Sequence, residues 1–130
     1  MPYMTMDHDV DPKEKILAEI GDLSSIEIFN NDLLLAVYIR PKKTKSGIYL
    51  SDQYVSEDQF QSKVGLLVKT GPKAFEQNEE GWFEGEKFEI NDWLVFRPSD
   101  GWNITIHGVL CRVIKDTQVK MRTQKPDEVW

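Results

Sequence analysis

The sequence predicts an all-β domain, a small barrel or sandwich, preceded by a short N-terminal helix. From Ile26 onward, short runs rich in β-branched and aromatic residues are separated by turn signals such as Asn30-Asn31-Asp32. The run from Leu33 to Ile39 is apolar almost throughout, which is typical of a strand covered on both faces. After Gly21 no segment of helical length shows helical periodicity, so folds that alternate strands and helices are excluded.

The segment that begins at Asp11 follows the sequence rules for a short helix. Asp11 can cap the N-terminus with Glu14 in support, Pro12 suits the first helical position, and Gly21 can end the helix. A helix of about ten residues is marginal alone, so its apolar face must dock on the body or on another chain. We expect a neighbouring chain or a different protein there. The docking residues are Ile16, Leu17 and Ile20.

The remaining strands follow from runs of apolar residues between turn signals. One precedes the long apolar run, at 26–29, and the others are predicted at 64–72, 88–90, 93–98, 102–108, 109–114 and 118–122. A chain of 130 residues is long enough for one domain with its own core. We divide it into an N-terminal extension (1–30), a β-body (31–122) and a C-terminal tail (123–130).

Composition narrows the class of partner. The 16 basic and 22 acidic residues give a net charge of −6, which argues against binding to a nucleic-acid backbone. The one basic cluster, Lys42, Lys43 and Lys45, is interpreted as a solvated loop arm. No run approaches the roughly 18 apolar residues of a membrane span, and Cys111 is the only cysteine. We therefore expect a cytoplasmic protein without membrane contact or disulfides.

Catalytic patterns are not found in the sequence. His8 and His107 have no nucleophile or metal partner in sequence. The acidic arm around His8 lacks the glycine and distal glutamate of a calcium loop and is interpreted as a solvated arm. Cys111 is interpreted as core filler, and His107 as a structural histidine. The acidic pairs around Trp82, which are Glu79, Glu80, Glu84 and Glu86, are interpreted as a solvated hairpin. We expect no enzymatic activity, no catalytic residue, no metal and no cofactor.

One loop is unusual because it carries three large apolar residues in an otherwise polar segment. Ile48, Tyr49 and Leu50 stand between the basic arm and an acidic, glutamine-rich run. The residues alone leave open what three large apolar side chains do in a segment that otherwise reads as an exposed loop.

The body resembles the co-chaperonins of the GroES type over residues 31–122. The blocks NDLLLAVYIRPKKTKSGIYLSD, SKVGLLVKTGPKAF and GEKFEINDWLVFRP have the order of the family's first strand, its mobile loop, the strand ending in V-x-G, and the strand preceded by a turn. The resemblance implies a small GroES-like β-barrel and a seven-membered ring that caps a chaperonin. It also implies that Gly47 is the pivot of the loop and that Ile48, Tyr49 and Leu50 anchor it on the chaperonin.

The resemblance also implies a homo-oligomer. The first strand would pair at its edge with a neighbour's last strand, which makes six residues the expected interface: Leu33, Leu35, Val37, Ile39, Val119 and Met121.

Several features depart from the family pattern. Tyr49 is bulkier than the usual aliphatic residue, only one glycine precedes Ile48, and the loop continues with Tyr54, Val55 and Phe60 rather than small residues. The helical extension and the tail are additional to the family's body. These departures favour a second interpretation, a phage virion structural protein such as a head decoration or head-tail joining protein, whose partners would be capsid or tail proteins.

Overall fold

The body of the protein is a six-stranded antiparallel sheet in a computed structural model that describes residues 6–41, 44, 46–51, 53, 62–76 and 87–129. The spatial order is β4-β5-β1-β2-β3-β6. The strands are β1 (Asp32–Val37), β2 (Val64–Thr70), β3 (Trp93–Val95), β4 (Trp102–Ile106), β5 (Val109–Lys115) and β6 (Met121–Thr123).

The fold is mostly β, as the sequence predicts. The sheet is accompanied by the helix α1 (Pro12–Ile20) and by two short 3-10 helices, Asp116–Gln118 and Pro126–Glu128. Within those residues the sheet is not closed, because β4 and β6 each have a strand partner on one side only.

Strand β1 lies at the centre of the sheet, and its position explains its apolar sequence. It pairs with β2 on one side and with β5 on the other. The side chains of Leu34 and Ala36 join the core on one face of the sheet, while those of Leu33 and Leu35 join the core on the opposite face. Because both faces are covered, all four residues are completely buried, and the prediction of a doubly covered strand is confirmed.

The structure differs from the expected pairing of β1 with a neighbouring subunit. Both edges of β1 are hydrogen-bonded within the chain, so no edge remains for another strand. The side chains of Leu33, Leu35 and Val37 are buried in the protein's own core. The high apolar content of β1 follows from its central position in the sheet.

Helix α1 begins and ends where the sequence indicates. The Asp11 carboxylate accepts a hydrogen bond of 3.2 Å from the Lys13 N–H, and Pro12 occupies the first turn. The Gly21 N–H donates to the Leu17 carbonyl at 3.1 Å, and Gly21 has a positive φ of 66°. The His107 ring donates from Nδ1 to the Ile20 carbonyl at 2.5 Å, which gives this histidine the structural role expected of it.

The helix packs on its own sheet rather than on another chain. Ile16 and Ile20 are buried in the same cluster as Leu34, Ala36 and Cys111. Leu17 points away and is 37% exposed. The expectation that Ile16 and Ile20 dock on a neighbour is therefore wrong, because their apolar surface is already covered by β1 and β5.

Substitution of Ile20 measures this packing. Ile20→Ala should lower the free energy of unfolding by about 2–5 kcal/mol, because a fully buried aliphatic side chain leaves a cavity when it is truncated. Leu17→Ala, one turn away and partly exposed, is the matched control and should cost less than about 1 kcal/mol. Urea denaturation of both variants at low protein concentration tests the assignment. Equal costs at Leu17 and Ile20, with a loss of assembly, would instead place the helix against a neighbour.

Two predicted strands are replaced by other structure. Residues 26–29 form no strand, because the Ile26 N–H turns back to the Leu23 carbonyl at 3.1 Å and Asn30 has a positive φ of 55°. Residues 88–90 lead into a turn in which the Asn91 N–H donates to the Leu67 carbonyl at 2.7 Å. The last strand is shifted by a few residues, to Met121–Thr123.

A buried carboxylate joins three distant segments at one end of the sheet. Asp116 accepts a hydrogen bond from the Asn31 side-chain amide at 2.8 Å and from the Phe75 N–H at 2.8 Å. The Asp116 N–H donates to the Asn31 carbonyl at 3.0 Å. Asp116 therefore fixes the start of β1 and the turn after β2 relative to the end of β5.

Candidate functional site

The apolar triplet follows a tight turn that is held by one threonine. The Thr44 N–H donates to the Ile48 carbonyl at 2.8 Å, and the Gly47 N–H donates to the Thr44 carbonyl at 3.0 Å. The Thr44 hydroxyl also accepts from the Ile48 N–H at 3.1 Å and contacts the Ser46 hydroxyl at 3.0 Å. These bonds give the start of the loop a defined conformation, so that Ile48 leaves the turn in a fixed direction.

Gly47 makes this turn possible. Its φ is 92°, in the region that side-chain-bearing residues rarely adopt. A Cβ added at Gly47 would meet no atom within 4 Å, so the requirement for glycine comes from the backbone conformation and not from crowding. The expected pivot is thus a residue whose backbone conformation is special.

The triplet presents apolar surface to solvent. The side chain of Ile48 is 54% exposed and that of Tyr49 is 71% exposed, while Leu50 is half-buried. The three predicted anchors therefore follow one another directly after the turn, and the first two expose much of their surface. Transfer of such side chains into an apolar groove is favourable, whereas their exposure to water brings no benefit.

The turn is anchored by the N-terminal arm of the chain. Met6 forms an antiparallel bridge with Thr44, and both residues are almost completely buried. The Met6 N–H donates at 2.8 Å to the carboxylate of Asp127, which is itself buried in the C-terminal segment. Met6 and Asp127 are 121 positions apart. No local pattern in the sequence signals a contact over that distance.

The arm makes a second contact with the body through His8. Its Nε2 lies 2.6 Å from the Tyr38 hydroxyl, and the Tyr38 ring packs edge-on against Trp93. Arg40 follows Tyr38 by two residues, and its guanidinium donates to the Val129 carbonyl at 2.5 Å. The arm was expected to be solvated, but from Met6 to His8 it lies against the sheet; Asp9 and Val10 are exposed.

The single thiol of the chain, that of Cys111, lies in the core rather than at a reactive position. Cys111 is completely buried on β5, and burial raises the pKa of its thiol to about 11, so it is protonated and unreactive at neutral pH. In the described part of the chain, no group of three His, Cys, Asp or Glu side chains is placed to hold a metal ion. Also within that part, no helix is long and apolar enough to cross a bilayer.

The remaining predicted interface residues are at the surface. Met121, on the edge strand β6, is 55% exposed, and Val119 is partly buried against the core beside it. Ile39 is also exposed and lines a groove of about 430 Å³ between the N-terminal arm, α1 and the β4–β5 turn. These three residues stay a prediction for contacts between subunits.

Some predicted features lie outside the described residues. They are the basic cluster, the aromatic residues of the continuing loop, the acidic hairpin with its tryptophan, and the C-terminal tryptophan: Lys42, Lys43, Lys45, Tyr54, Val55, Phe60, Glu79, Glu80, Trp82, Glu84, Glu86 and Trp130.

Neither a scan against models of known protein families nor a search of curated proteins finds a match to this chain.

Proposed function

We propose that the protein is a co-chaperonin-like cap, which docks on a chaperonin ring through the triplet Ile48, Tyr49 and Leu50. The observation that carries the proposal is the exposure of Ile48 and Tyr49 immediately after a turn held by Thr44. The sequence block around them resembles the chaperonin-binding loop of the GroES type. In this proposal the body is a small GroES-like barrel. The antiparallel pairing of β1 and β2, the strands before and after the loop, is consistent with that fold.

The energetics of such a contact favour a preformed turn. Burial of each large apolar side chain contributes about 1.5–3 kcal/mol. Ordering a flexible segment costs roughly 1–2 kcal/mol per residue in backbone entropy. Since the hydrogen bonds of Thr44 already hold Gly47 and Ile48 in the turn, part of this cost is met before binding.

One loop still contributes too little for stable capping. Two or three anchors offset the ordering of the rest of the loop only in part, so a single contact is weak. An oligomer that presents several loops to one chaperonin ring makes each later contact intramolecular. The proposal therefore requires a homo-oligomer, and it places the protein in the cytoplasm with its partner. It includes no enzymatic step and no cofactor.

The direct test is retention of chaperonin by the immobilised protein in the presence of ATP. We expect ATP-dependent retention that excess free protein abolishes. An empty eluate under these conditions, with the immobilised chain shown to be folded by circular dichroism, would contradict the proposal.

A phage virion structural protein is the second candidate. The observation that favours it is the fixed attachment of the turn to Met6 and, through Met6, to Asp127. A turn that is held in place before binding suits a permanent contact with capsid or tail proteins as well as a reversible one. Detection of the chain in purified, nuclease-treated particles at a stoichiometric level would select this function.

A further inference from the structure

Strand β4 has an outer edge that no strand of the described residues pairs with, and its sequence lacks the charged and proline residues that usually protect such edges. Its five residues, Trp102–Ile106, contain no charge and no proline. Its ladder with β5 runs without a bulge from Trp102↔Val113 to Ile106↔Val109. None of the described residues pairs with its outer side. A regular, uncharged edge of this kind is a template for a further strand.

The hairpin geometry determines which backbone groups point outward. His107 and Gly108 form a two-residue turn with φ values of 52° and 80°, as a type I′ turn requires. The residues that flank such a turn, Ile106 and Val109, exchange hydrogen bonds with each other, and the pairs then alternate along the ladder. It follows that the N–H and C=O groups of Asn103 and Thr105 point away from β5.

The side chains on one face of β4 continue the core to this edge. Trp102, Ile104 and Ile106 lie on the same face, because side chains alternate along a strand. Ile104 and Ile106 are partly buried against the core cluster that contains Cys111, while Trp102 is 59% exposed. A strand added at this edge would cover the exposed flank of that row.

We propose that this edge binds β4 of a second copy of the chain, in an antiparallel pair related by a two-fold axis at Ile104. In this register Asn103 lies opposite Thr105 of the partner, so each outward N–H meets an outward C=O. On the apolar face, Trp102 lies opposite Ile106 of the partner, and Ile104 lies opposite Ile104 of the partner. An aromatic residue opposite a β-branched one is a favourable cross-strand pair.

Charge does not oppose the pairing of the strand with itself. Because it carries no charged residue, pairing with itself brings no like charges together, despite the net charge of −6 on the chain. A second copy is therefore the occupant that fits both the hydrogen-bonding register and the charge. The contact is independent of the chaperonin proposal and would add two-fold symmetry to any assembly.

Sedimentation velocity of the full chain tests the pairing. Wild type should sediment as a dimer at micromolar concentration, or as a larger even-numbered assembly. Thr105→Pro removes an outward N–H that β5 does not use and should weaken the two-fold contact at least tenfold, which halves the assembly. Thr105→Lys should weaken it too, and Thr117→Lys, at another exposed position on the first 3-10 helix, should leave it unchanged.

Hydrogen exchange keeps the test decisive if a variant folds poorly. In wild type, the Thr105 amide should exchange slowly at high concentration and at least tenfold faster after dilution below the dissociation constant. The proposal would be overturned if wild type stays monomeric at a concentration 100-fold above the micromolar range. It would also be overturned if both Thr105 variants leave the assembly intact. Protection of the Thr105 amide at every concentration would also overturn it, since another part of the same chain would then cover the edge.

Discussion

Gly101→Ala is expected to destabilise the protein by more than about 3 kcal/mol, enough to unfold a domain of ordinary stability. Gly101 has a φ of 69°, which costs a residue with a side chain about 1–2 kcal/mol. A Cβ at this position would also overlap the Val113 carbonyl oxygen and press on the Ile114 side chain. Relief of that overlap requires a shift of the backbone between β4 and β5, which would break the hairpin ladder.

Gly108→Ala is the matched control for this substitution. Its φ of 80° is equally unfavourable for alanine, but no atom lies within 4 Å of the added Cβ. It should therefore cost only about 1–2 kcal/mol, the backbone component alone. Chemical denaturation of the two variants separates crowding from backbone strain. Equal losses of stability would show that the close approach of Gly101 to Val113 does not exist in solution.

Ile48→Asp is expected to abolish the retention of chaperonin while the fold and the oligomer stay intact. Aspartate cannot enter an apolar groove without an unpaired buried charge, which costs several kcal/mol. Repeated in every subunit of an oligomer, that loss removes the avidity on which capping depends. Ile48 is 54% exposed and contributes to neither core cluster, so the substitution should change the melting temperature by little.

Ile90→Asp serves as the matched control, since Ile90 is 49% exposed and lies outside the loop. It introduces the same charge at a similar exposure and should leave retention of chaperonin unchanged. The measurement is the amount of chaperonin retained in the presence of ATP, normalised to folded protein. If Ile90→Asp lowers retention as much as Ile48→Asp does, the effect comes from net charge and the triplet is not the anchor.

The sequence contains enough local information to locate most elements. The cap at Asp11, the proline at the first helical position and the glycine after Ile20 set both ends of α1. The apolar run from Leu33 indicates a strand covered on both faces. In each case the signal depends on residues within a few positions of one another, which is where intrinsic preference is strong.

Pairing partners are less accessible to sequence reasoning. An apolar face on α1 shows that something covers Ile16 and Ile20, but not whether the cover is the same chain or another. Likewise, the apolar residues of β1 show that its faces are buried and contain no information on its edges. The attachment of Thr44 to Met6 and Asp127 depends on contacts between distant segments. Of the candidate site, therefore, only the triplet could be predicted, through its resemblance to the co-chaperonin loop.

Electron microscopy of chaperonin rings mixed with the protein and ATP tests the central claim most directly. Side views should show extra density that closes one or both ends of the ring, and Ile48→Asp should remove it. Bare ring ends in all views, at protein concentrations well above that of the chaperonin, would contradict the co-chaperonin assignment. Recovery of the chain in purified phage particles would then establish the virion function in its place.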